Sequence, residues 1–165
     1  MDETGNIYVA GLSERRVQVF DSNGRFLRRW GTKGSGDGQF EIPKGVAVDR
    51  TGKVYVADSR NSRVQVFDSS GRFLRQLGSK GVGDGQFIFP RGVAVDQAGN
   101  VYLAELGKNR VQVFYGSKRL LRKWGSEGTG DGQFKRPQGI AVDGAGNVYV
   151  ADTGNNRVQV FALVR

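Results

Sequence analysis

Apolar residues in this chain come in short runs, cut at regular intervals by Gly, Asp, Asn and Ser. Gly92-Val93-Ala94-Val95 is apolar throughout, as a strand buried on both faces should be. Call it strand a. Strand b is Val101-Tyr102-Leu103-Ala104, strand c is Val64-Gln65-Val66-Phe67, and strand d is Phe73-Leu74-Arg75-Gln76-Leu77. The a–b link Asp96-Gln97-Ala98-Gly99-Asn100 and the c–d link Asp68-Ser69-Ser70-Gly71 carry the Asp and Gly that tight turns need. The b–c link runs from Asp58 to Ser62 and a longer d–a link from Gly78 to Pro90. No stretch has helical periodicity.

This unit repeats. Arg-Val-Gln-Val-Phe begins at Arg16, Arg63, Arg110 and Arg157, each 47 residues after the last. Gly-Asp-Gly-Gln-Phe at Gly36, Gly83 and Gly130 keeps the same step, as does Gly-(Val/Ile)-Ala-Val-Asp at Gly45, Gly92 and Gly139. The units are 5–51, 52–98, 99–145 and a partial 146–165, about 3.5 copies, and the first two agree at about 30 of 47 positions. Four antiparallel strands per repeat of this length predict an all-β chain of β-propeller blades in a single array over 1–165. Strand a would line the axis and strand d the rim. The b–c and d–a links would then share one face, and the a–b and c–d links the other.

The motif Gly-Asp-Gly-Gln-Phe-x-x-Pro-x-Gly-Val-Ala-Val-Asp-x-x-Gly-Asn-Val-Tyr-Val-Ala-Asp-x-x-Asn-x-Arg-Val-Gln-Val-Phe resembles the NHL repeat. The likeness covers nearly the whole chain, in register. It implies a propeller, commonly six-bladed, and a binding module; some animal members bind single-stranded RNA. A lyase branch of related propellers uses a His-bound zinc. This chain has no His, so that activity does not carry over.

Composition narrows the chemistry further. With no Cys there is no disulfide or thiolate nucleophile, and with no His no imidazole base or His-bound metal. We expect no enzyme activity, no metal and no cofactor. No apolar run approaches the ~18 residues of a membrane span, and Met1-Asp2-Glu3-Thr4 does not open a signal peptide. That predicts a soluble chain with no membrane partner and leaves its compartment open.

Asp2-Glu3-Thr4-Gly5-Asn6 aligns with Asp49-Arg50-Thr51-Gly52-Lys53, so the chain starts at strand b and ends at strand c. Ala162-Leu163-Val164-Arg165 stands in place of the last c–d turn. The expected blades are b-c-d, two of a-b-c-d, and a-b-c. An open stack leaves apolar flanks, which predicts self-association, most simply a homodimer forming six or seven blades. Val17 and Phe20 at one end and Val158 and Phe161 at the other are the expected contact residues. A four-bladed monomer and a piece of a longer or engineered propeller are the alternatives. Idiosyncratic segments such as Tyr115-Gly116-Ser117-Lys118 argue against a pure consensus design.

Residues present in every repeat are read as structural. Asp49, Asp96 and Asp143 open turns, and Arg63, Arg110 and Arg157 pair with Asp58, Glu105 and Asp152. Gly11 replaces that acid in the first unit, so Arg16 is expected to lack a partner. Phe40, Phe87 and Phe134 are wedges between blades, and Trp30, Leu77 and Trp124 are rim packing. The Gly-x-Gly-Asp-Gly segments lack the Lys-Ser/Thr of a phosphate loop and the several carboxylates of a calcium site. Function is sought where repeats differ on one face. Arg15, Lys33, Arg60, Lys80, Lys108, Lys135 and Arg136 form a basic set there, with Phe89 as an aromatic. Such a surface suits an acidic protein or single-stranded RNA. Further cations on strand d and its turn, such as Arg28, Arg29 and Arg75, suit protection of an outer edge.

Overall fold

The computed structural model describes residues 1–116 and 119–162. Ser117-Lys118 and Leu163-Val164-Arg165 lie outside the described residues. The first sheet is β1 (Ile7–Gly11), β2 (Arg16–Phe20) and β3 (Phe26–Trp30), which are strands b, c and d. Two short strands follow in the d–a link, β4 (Thr32–Lys33) and β5 (Gln39–Phe40). The second blade is β6 (Pro43–Val48), β7 (Val54–Asp58), β8 (Arg63–Phe67) and β9 (Phe73–Leu77). Its link carries β10 (Ser79–Lys80) and β11 (Gln86–Phe87). The third is β12 (Pro90–Val95), β13 (Asn100–Glu105), β14 (Arg110–Tyr115) and β15 (Arg119–Trp124). The last is β16 (Pro137–Val142), β17 (Asn147–Asp152) and β18 (Arg157–Ala162). Every blade is an antiparallel meander, so blade composition follows the expected strand order.

Each repeat motif has a visible cause in this geometry. Pro43, Pro90 and Pro137 open strand a, where a missing N–H costs no ladder bond. The a–b turns are clamped by aspartate: Asp49 accepts from the Thr51 and Lys53 amides, the Thr51 hydroxyl and the Tyr55 hydroxyl. Asp2 and Asp143 repeat that clamp. The pairs β4–β5 and β10–β11 are parallel and were not anticipated, being only two residues long. They fold the link back on itself so that its Phe points under the next blade.

The core is three apolar slabs, one between each pair of adjacent blades. The first joins Val17 and Val19 of β2 to Phe40, Val54, Val56 and Phe67. The second is built around Val64, Val66, Phe87, Leu103 and Phe114, and the third around Val111, Val113, Phe134, Val148 and Val150. Phe40, Phe87 and Phe134 are fully buried, each against the strand c ring of the blade it precedes, at 5.8–5.9 Å between centroids. Trp30 and Trp124 lie over Phe67 and Phe161 at 5.7 and 5.4 Å, as rim packing requires. Gly78 shows why the link needs glycine: its φ is +84°, and a Cβ there would sit 2.0 Å from the Phe87 ring.

Two expectations are corrected. Val17 is fully buried against the second blade, and Phe161 packs inward on Trp124 and Phe134, so neither marks an open flank. Residues of strand c alternate between flanks, and Val17 and Phe161 lie in the phases that face the rest of the array. The open surfaces are half-buried Phe20 with exposed Val9 at the start, and Tyr149, Val158 and Val160 at the end. Strand a, expected to be buried on both faces, is so only over Gly92–Ala94 of β12; past their opening prolines, β6 and β16 are half-buried or, at Lys44, Gly139 and Ala141, exposed. They stand beside β12 at the open axis. No helix among the described residues is long and apolar enough to cross a membrane.

Candidate interaction face

The b–c and d–a links share one end of the blades, tied by backbone bonds. Gly107 N–H donates to the Ile88 carbonyl, Leu106 N–H to Phe89, and Gly154 N–H to Lys135. Below them lies a repeated polar lattice. Arg63 binds Asp58 at 3.1 Å and donates to the Gly36 and Gln39 carbonyls. Arg110 does the same with Glu105, Gly83 and Gln86, and Arg157 with Asp152, Gly130 and Gln133. The acids are fully buried, and their second oxygens accept the amides of Glu41, Ile88 and Lys135. Burial pushes the Asp152 carboxyl up, but the Lys135 amide, Asn155, Arg157 and Gln159 bring it below its ordinary value. This lattice fixes the links and uses up its own charges. Among the described residues Arg16 meets no acid and donates to the Glu14 carbonyl at 3.4 Å, as the substitution of Gly11 for the acid predicts.

The Gly-rich loops are filled by a side chain. Gln39 Oε1 accepts the Gly36 amide, and Gln86 and Gln133 repeat this. A Cβ at Gly34 would fall 2.3 Å from Gln39 Oε1, so the loop has no room for a phosphate. Among the described residues, no group of three or more acidic, His or Cys side chains is arranged to hold a metal.

The candidate residues divide into two sets. Arg15 is half-buried, with φ +53° and its Nε on the Glu41 carbonyl at 2.9 Å, and it pairs with the Glu41 carboxylate. It belongs to the framework. Lys33 and Lys80 are exposed on β4 and β10, and Arg60 is exposed in the 3-10 turn Ser59–Asn61. The others converge. The Arg136 amide donates to the Asn109 side chain, next to Lys108, while Lys135 lies against the last b–c link. Phe89, 44% exposed, abuts Leu106 of the same b–c link as Lys108. Phe89 and Arg136 both have φ near +52°, a conformation that costs energy for non-glycine residues. Lys44, Arg91 and Gln138 at the axis were missed. They precede the repeated Gly of strand a, and that strand's apolar pattern hid them.

The family model for the NHL repeat matches residues 40–67, 87–114 and 134–161, just over half of the chain. The chain belongs to the NHL-repeat family. Each match runs from the link Phe through the Phe of strand c, which is one inter-blade wedge with the strands it joins. A search of curated proteins finds no match. Among solved structures, this NHL chain is similar to a streptogramin B lyase, with TM-score 0.70 and 11% identity over 98% of the chain. It is also similar to a catalytically inactive virginiamycin B lyase from Staphylococcus aureus with quinupristin, at TM-score 0.65, 11% identity and 98% coverage. Kuenenia stuttgartiensis hydrazine synthase aligns at TM-score 0.64 and 16% identity over 94%. The NHL chain spans about half the length of these structures, 52%, 53% and 45%. At such identities the likeness extends to the propeller fold alone.

Proposed function

We propose that this NHL chain is a non-catalytic interaction scaffold that offers its b–c/d–a face to an acidic partner protein. One observation carries the reading: Phe89, Lys108, Lys135 and Arg136 stand exposed along two neighbouring link junctions that the Arg136–Asn109 bond ties together, while the nearby Glu105 and Asp152 are buried and held by arginine. The net charge of +9 adds steering. Among the described residues, Phe89 is the one exposed aromatic of these links, which favours a protein over RNA, whose bases need several stacking platforms. The missing His and Cys and the turn-bound aspartates support absence of catalysis. The test is fluorescence anisotropy with an acidic peptide and a single-stranded RNA. Lys135→Ala with Arg136→Ala weakens peptide binding, and Arg29→Ala with Arg119→Ala on the rim does not. Equal losses from both pairs refute a specific face. Turnover in a hydrolase and lyase screen, abolished by one carboxylate substitution, refutes the scaffold.

The flanks support a second property, association with another copy. Val158 and Val160 are 63% and 58% exposed, yet their repeat counterparts Val111 and Val113 are buried against Phe134, Val148 and Val150. The first blade offers Ile7, Val9 and Phe20, counterparts of Val148, Val150 and Phe161. End-to-start contact between two copies would repeat most of an internal slab, without the link Phe. Sedimentation velocity should find dimers at micromolar concentration, and Val158→Asp with Val160→Asp should give monomers. A folded micromolar monomer of the parent chain sinks this property.

A further inference from the structure

We propose that the axial depression at the inner strands is a binding site for a small oxyanion, with Arg91 as its principal ligand. The site goes beyond the partner face, because it lies on strand a and not on the links. It begins with glycine. A Cβ on Gly45 would sit 2.6 Å from the Arg91 carbonyl oxygen, and one on Gly92 would sit 2.3 Å from that of Gln138. Only glycine lets β6, β12 and β16 converge this closely. Their convergence brings the preceding residue of each repeat, Lys44, Arg91 and Gln138, around one opening with Val46, Val93 and Ile140. The depression measures ≈ 320 Å³, at the small end of the roughly 300–1,000 Å³ usual for ligand pockets.

Its charge is unbalanced. Among the described residues no carboxylate lines it, and two of its side chains are cations. Arg91 Nε is buried without a hydrogen-bond partner among the described residues. The contrast within the same fold is sharp, since Arg63, Arg110 and Arg157 each meet an acid and two or more carbonyls. An unpaired buried donor on a cation destabilises the fold, so Arg91 stands at a cost that a bound anion would remove. Its planar fork suits a carboxylate or a phosphate group alike, with Lys44 as a mobile charge at the mouth and the Gln138 amide as a neutral donor. Strand a is also the edge strand of the second, third and last blades, so among the described residues the outer backbone groups of β6, β12 and β16 have no ladder partner.

The test uses citrate and inorganic phosphate as separate probes, in a Tris chloride buffer free of other oxyanions. Calorimetry and thermal melting are run on the parent, Arg91→Met, Arg91→Lys, and the rim control Arg29→Ala with Arg119→Ala. The parent binds at least one probe at millimolar concentration and melts higher with it. Arg91→Met melts higher than the parent without a probe and binds about tenfold more weakly or worse. Arg91→Lys falls between, and the rim control matches the parent. A response to citrate alone assigns a carboxylate ligand, and to phosphate alone a phosphate. Failure of both probes to bind the parent overturns the site. So does undiminished binding by Arg91→Met, or an equal loss in the rim control. Arg91→Met that still binds acidic peptide separates this site from the partner face, whose own failure would leave probe binding intact.

Discussion

Arg63–Phe67 and Arg157–Phe161 share the sequence Arg-Val-Gln-Val-Phe but not the same surroundings. In β8 all five residues are buried; in β18 burial alternates, and both valines face out. Their polar contacts barely differ. Each arginine meets its aspartate and the equivalent link carbonyls, and Gln65 and Gln159 each donate to a link carbonyl at 2.7 Å. Hydrogen bonding is therefore complete within one repeat and the link before it. Apolar burial is completed by the blade that follows. One five-residue string thus serves two contracts, and only the polar one is met without a neighbour.

The largest test of this division places one charge at equivalent positions. Val64→Asp buries an unpaired carboxylate in the second slab and should prevent folding, read by loss of the β-sheet circular dichroism signal. Val158→Asp, whose side chain is exposed within one copy, should keep the β-sheet signal and fold as a monomer. A next effect separates the arginines. Arg63→Met strands the Asp58 carboxylate in the interior and should cost about 3–5 kcal/mol in denaturant unfolding. Arg16→Met, with no acid to strand, should stay within about 0.5 kcal/mol. Equal costs would mean that the arginines act by packing alone.

The smallest effect lies in acid. Burial raises the Asp2 carboxyl, but the Thr4 hydroxyl, the Asn6 amides and the Tyr8 hydroxyl outweigh it and hold the group at about 2, against an ordinary 3.8. Asp49 is lowered in the same manner. The folded state then binds fewer protons than the unfolded one. The resulting stability is present above pH 3.8 and is lost as pH falls towards 2. Asp2→Asn should flatten that decline slightly, as read from melting temperature between pH 4 and about 2. An unchanged slope would mean the clamp contributes nothing to folding.

Blade order, the wedge phenylalanines and the Arg–acid pairs were legible because each recurs in register, and recurrence converts one local pattern into several. The flank phase was not. Val17 and Phe20 are both apolar members of one strand, and only the twist and the neighbouring blade decide which of them is covered. Arg15 looked like a free cation because its anchor, the Glu41 carbonyl, lies 26 residues away and backbone oxygens leave no mark in a sequence. Arg91 was overlooked for the opposite reason. Its environment is set by three strands from three repeats, and none of them signals an axis on its own.

The polar lattice has a further consequence. Among the described residues, the link-bound bonds from Arg63, Arg110 and Arg157 reach back 24 to 28 residues along the chain, and none reaches forward beyond its own hairpin. Each of these three blades thus carries its bracing on a tether shorter than its own period. Copying one period of the gene copies a whole set of braces, and deleting one removes a whole set, with no severed partner left elsewhere. An array wired this way can change its number of blades by duplication or loss without first passing through a broken intermediate.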